Sequence, residues 1–107
     1  MLQAFPGTLV TTEAVLTEAF YLLEKPAQQA GLWGFISAGA LRLECCLPAD
    51  LLRMRRLMAK YADLPMDFAD ASLVAVAERM DLRLILTLDH HFGLYRPRHT
   101  RSFEVLP

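Results

Sequence analysis

The chain has 107 residues, 54% of them apolar, which fits one compact domain over residues 1–107 with a single core. Eleven basic and 12 acidic side chains leave a net charge of −1, which excludes a global attraction to polyanions, so any nucleic-acid binding has to come from local clusters. The opening MLQAFPGTLV has no basic leader before an apolar run and no stretch approaches the ~18 residues of a membrane span, while the only cysteines, Cys45 and Cys46, are adjacent and read as reduced core thiols, so the expectation is a soluble cytoplasmic protein with no membrane partner.

In chain order, Met1 to Phe5 reads as the tail of a helix closed by Pro6-Gly7, and Thr8 to Thr11 as a short β-branched strand. Thr12 is placed to cap a helix whose apolar positions run from Val15 to Leu23 and which ends at Pro26. A second helix is predicted between Gln28 and Ala38, weakened by Gly31 and Gly34 and stopped near Gly39. Leu41 to Leu47 reads as a buried strand, and Pro48 opens a helix that ends at Leu64-Pro65. MDFADASLVAVAERM is a strong helix with Asp67 as its cap and Asp70 three residues on, LRLILTLD a buried strand ending at Asp89, and Ser102 to Leu106 a final strand. Helices alternating with short apolar strands predict a three-layer α/β/α sandwich around a mainly parallel sheet, with sites at the carboxyl ends of its strands.

Three carboxylates stand where apolar patterning does not predict them. Glu18 shares its helix face with Ala14, Val15, Tyr21 and Leu22, Asp70 opens a helix that is apolar on most sides, and Asp89 ends a strand at a ligand-bearing edge. If they converge, mutual repulsion calls for a cation, and hard oxygen donors select Mg²⁺ or Mn²⁺. Each acid also has an ordinary explanation: Asp67 and Asp70 stabilise a helix start by ~1 kcal/mol, Glu18 can reach solvent, and Asp89 can begin a turn.

The segment PMDFADASLVAVAERMDLRLILTLDHHFGLYRP resembles the C-terminal signature of PIN-domain ribonucleases of the VapC toxin type, and LVTTEAVLTEAFYLL is similar to the segment that carries their second acid. The match runs from about Ala4 to the end at the family's spacing. The resemblance implies a PIN-like fold and a metal-dependent endoribonuclease of a toxin–antitoxin system, hydrolysing RNA phosphodiesters with Mg²⁺ or Mn²⁺. It makes Glu18, Asp70 and Asp89 catalytic metal ligands, with Asp67 a secondary or capping acid. It also implies an antitoxin partner whose helix enters a hydrophobic groove, to which Trp33, Phe35 and Ile36 can contribute if they are not core.

The family's first strand, central in its sheet, ends in an Asp that ligates the metal, and nothing from Met1 to Thr11 is acidic. The fold expected here is therefore a PIN-like one lacking the first strand and helix, with neighbouring strands at 8–11 and 84–88 in need of a partner and the chain inclined to form a homodimer or higher oligomer. Two functions stay open: a ribonuclease, weakened or inactive without that Asp unless translation starts upstream, and a catalytically dead remnant that binds a protein or itself. A plain α/β scaffold requires both motif matches to be accidental.

Arg96, Arg98 and Arg101, with His99, form a basic cluster after Asp89 that can hold RNA phosphates, and Arg53, Arg56 and Lys60 form a helical stripe that reads more readily as a solvated face. His90 and His91, without a third spaced ligand, read as loop residues.

Overall fold

A computed structural model describes residues 1–5, 7–86, 95, 97–100 and 103–106. The elements in order are β1 (Leu2–Phe5), β2 (Thr8–Thr11), α1 (Glu13–Leu22), α2 (Pro26–Ser37), β3 (Leu41–Leu43), α3 (Pro48–Lys60), α4 (Phe68–Met80), β4 (Leu84–Leu86) and β5 (Glu104–Leu106). Five strands form one sheet in the order β3-β2-β1-β4-β5. The expected α/β class holds, and the sheet is mixed: β2 pairs β3 and β4 pairs β5 in parallel, while β1 runs antiparallel to both β2 and β4.

The largest departure from the sequence reading is β1. Met1 to Phe5 is no helix tail, since Leu2 pairs with Val10 on one side and Ile85 on the other, and Gln3 with Leu9 and Leu84. Leu2 is fully buried and Ala4 packs on the core, a period-two pattern too short to read reliably in four residues. Gly7 at φ 81° supplies the left-handed turn that folds β1 back onto β2. The slot that the resemblance leaves open between the strands at 8–11 and 84–88 is thus filled from within the chain, and the expected gap with unpaired backbone on both sides is corrected.

Other boundaries move less. Pro26 opens α2 instead of closing the helix before it, as its fixed φ permits at a first helical position. Gly39, at φ 75°, ends α2 as expected. The strand expected over 41–47 contracts to β3, where Leu41 is buried while Arg42 and Leu43 are exposed, as befits an edge. Among the described residues no helix is long and apolar enough to cross a membrane.

The core gathers Leu2, Val10, Met54, Leu57, Val74, Val76, Ile85, Tyr95 and Phe103. Ala69 and every residue from Ala71 to Ala77 are buried, so α4 is the central helix. Its small side chains admit α1 and α3 at close range. Polar groups lock α3 to α4. Arg53 forks onto Glu78 at 2.8 and 2.9 Å, and Arg79 donates to Asp50 at 3.0 Å and to the Cys45 carbonyl at 3.0 Å. Asp50, 5% exposed, also accepts the Leu47 amide at 2.8 Å at the start of α3. Asp50→Ala removes both acceptors at once and is expected to cost about 2 kcal/mol, read as a lower urea midpoint at unchanged m-value.

Candidate functional site

The acids come together where α1 crosses the start of α4. Asp67 caps α4: its carboxylate accepts the Asp70 amide at 2.8 Å, and the Asp70 carboxylate accepts the Asp67 amide at 3.2 Å. This reciprocal box fixes both carboxylates on the first turn, where the helix dipole favours negative charge. Glu18, six residues into α1, reaches across to share a hydrogen bond with the Asp67 side chain.

Two carboxyls side by side resist ionising together, and Glu18 is the one that keeps its proton longer. Its pKa is raised from an ordinary 4.5 to about 7, first by the hydrogen bond to Asp67, then by desolvation and the charges of Asp67 and Asp70. Burial works against Asp67, yet the Asp70 amide, the Glu18 carboxyl and the Ala69 amide hold it below the usual range. Three carboxyls thus gather at one place, Glu18 from α1 and Asp67 and Asp70 from the start of α4. Their oxygen donors are hard, the chemistry Mg²⁺ and Mn²⁺ select. In charge and donor type Glu18, Asp67 and Asp70 therefore fit a divalent cation. In number they fall short of a cage: among the described residues no three His, Cys, Asp or Glu side chains cluster closely enough to hold a metal ion. Asp89, like Arg96, Arg101, His90 and His91, lies outside the described residues.

Several expectations change on contact with the geometry. Glu18 does not lie on a face that is buried: Tyr21 is 83% and Leu22 75% exposed, and the side chain that acts on its carboxyl most strongly is Asp67. Asp67, assigned a secondary place, is the acid that touches Glu18. Arg98 stands at the other end of α4, where its amide donates to Glu78 at 2.7 Å, about 12 Å along the helix from Asp70 at 1.5 Å per residue. Arg53 leaves the expected basic stripe to pair with Glu78, so Arg56 and Lys60 remain on the exposed side without it. Cys45 is exposed and therefore no core thiol, whereas Cys46 is half-buried and its thiol pushed up, chiefly by burial. Trp33 and Phe35 are exposed, so the aromatic stretch of α2 lies on the surface.

Two clefts among the described residues are lined by side chains other than Glu18, Asp67 and Asp70. One, of about 430 Å³, lies over the α3–α4 ion pairs and Arg98; the other, of about 280 Å³, lies between Thr12, Glu13, Glu44, Cys45, Cys46 and Phe68. The first is lined by Arg53 and Arg79, already engaged with Glu78 and Asp50 in the ion pairs that join α3 to α4.

Comparison with known proteins decides the family. The family model for the PIN domain matches residues 2–96. The chain belongs to the PIN-domain family. It is 38% identical over 73 residues to Ribonuclease VapC26 of Mycobacterium tuberculosis, a match that covers 67% of this chain and 54% of that protein. The chain thus aligns with about half the length of this curated relative. As a PIN-domain chain it carries Glu18 on α1 and Asp67 and Asp70 on α4, the two segments on which the resemblance rests.

Proposed function

We propose that this PIN-domain chain, read as one unit over residues 1–107, is a divalent-metal-dependent endoribonuclease of a toxin–antitoxin system. The observation that carries the reading is the meeting of Glu18 with Asp67 beside Asp70, acids on separate elements that converge at the crossing of α1 and α4. Glu18 and Asp70 would hold Mg²⁺ or Mn²⁺ together with Asp89, with Asp67 orienting Glu18 and capping α4. When bound, such a cation lowers the pKa of a water and offsets charge developing on a phosphodiester. The chain's own acids hold the charge locus in place and define its open face, since Glu18 and Asp67 are exposed and Asp70 is half-buried. Arg98, with Arg96 and Arg101, would contact RNA phosphates beyond the scissile one, given its distance from the acids. The relative's name, a VapC ribonuclease, supports the substrate class.

The antitoxin surface would be the α1–α2 hairpin, which buries no residue and exposes Tyr21, Leu22, Trp33 and Phe35, an apolar patch suited to the face of a helix. A non-cleaving module that binds protein through this same exposed patch is the second reading.

The test is incubation of the full chain with a mixed single-stranded RNA pool in Mn²⁺. Slow cleavage that EDTA stops and that Asp70→Asn reduces to background supports the ribonuclease. No cleavage at any Mn²⁺ concentration transfers the function to the protein-binding reading.

A further inference from the structure

The position of Glu18 is not explained by core packing. No residue of α1 is fully buried, and its apolar attachment to the core is Val15, itself only partly covered. Nor does α2 anchor it, because α2 also has no buried residue and is tied to the end of α1 by Gln29 on the Leu23 carbonyl and by Phe20 against Trp33. The hairpin needs another fixed point.

That point is polar and buried. Thr12, 1% exposed, and Ser72, 0% exposed, bring their hydroxyl oxygens to 2.6 Å across 60 residues of sequence. The donor order follows from hydrogen count. Ser72 Oγ donates its one hydrogen to the Ala69 carbonyl at 2.6 Å, so Thr12 donates to Ser72, and the Thr12 oxygen accepts the Val15 amide at 3.3 Å. An unbroken chain thus runs from the first turn of α1 into the first turn of α4. Along α1, Thr12 to Glu18 is six residues, about 9 Å; along α4, Ser72 back to Asp67 is five, about 7.5 Å. Two contacts at matching intervals on helices running in opposite senses fix both their register and their angle.

We propose that the Thr12–Ser72 hydroxyl pair is a positioning device that sets α1 against α4 and so delivers the Glu18 carboxyl to Asp67 and Asp70. Neither hydroxyl is a metal ligand; both act through the helices they join. As a role in the site, this rests on the cation reading above, and the experiment separates the two.

Amide hydrogen exchange and Mn²⁺ titration are run on the full chain and on Thr12→Val, Ser72→Ala, their double variant, Thr12→Ser and the core reference Val76→Ala. Thr12→Val also removes the helix cap, whereas Ser72→Ala leaves it, so agreement between them isolates the bridge. Each is expected to speed exchange of Leu16 to Phe20 relative to α4 about tenfold and to weaken Mn²⁺ binding about tenfold, the scale of a lost outer-shell partner. The double variant should be no worse than Thr12→Val, Thr12→Ser should return to parent values, and Val76→Ala should lower stability without changing the α1 to α4 exchange ratio or the Mn²⁺ affinity. Exchange in α1 that merely follows Val76→Ala, or Mn²⁺ affinity unchanged by loss of the bridge, overturns the proposal. If the parent takes up no Mn²⁺, the cation reading fails instead, and the exchange ratio alone decides whether the bridge anchors α1.

Discussion

Replacing Leu2 with alanine is expected to lower the free energy of unfolding by about 3 kcal/mol, the cost of a large-to-small change in a closed core. Leu2 is fully buried in the middle strand of the sheet, against Val10 on one neighbour and Ile85 on the other. A residue in a fraying tail changes stability by no more than roughly 0.5 kcal/mol, so denaturation of Leu2→Ala in urea separates a central strand from a loose end cleanly. The comparison matters because the central slot is where the family's first strand is expected, and β1 fills it in the opposite direction.

Glu18→Gln is expected to act with opposite signs on stability and on cation binding. The folded chain keeps the Glu18 proton up to about pH 7, whereas the unfolded chain releases it near 4.5, so between those values the folded state binds more protons. The stabilisation is complete below pH 4.5 and is lost as pH rises through 7. Asp67, whose pKa is lowered, stays ionised across this window and adds no slope there. Glutamine donates to Asp67 at every pH, so without metal the variant should be more stable than the parent at pH 8 by roughly 0.5 kcal/mol, a figure discounted for the exposure of Glu18. The same variant should lose the cation. Thermal unfolding at pH 5 and pH 8, with and without Mn²⁺, reads both effects: the parent should gain stability from Mn²⁺ at pH 8 and the variant should not.

Legibility followed the range of the determining interaction. The strong helix α4 was readable because its cap, its apolar run and its C-terminal turn all lie within 15 residues, and the structure gives it the predicted Asp67–Asp70 box. Four residues of β1 hold no comparable signal; LQAF becomes a strand because two neighbouring strands offer it ladders. Arg53 was placed on a stripe by local spacing and was redirected by Glu78, 25 residues on. Thr12 was visible as a helix cap, but its second partner is 60 residues away and Ser72 looks unremarkable inside ADAS. Glu18 and Asp70 stand out in the sequence through their motifs. The direct contact of Glu18 with Asp67 does not, because capping already accounts for Asp67.

The central claim is that the acids of α1 and α4 form one cation locus. Calorimetric titration of the full chain with Mn²⁺ at pH 8, beside Glu18→Gln and Asp70→Asn, tests it most directly. The account predicts saturable uptake by the parent that each substitution abolishes. Uptake of the parent's strength in both variants, or none in the parent, would contradict it.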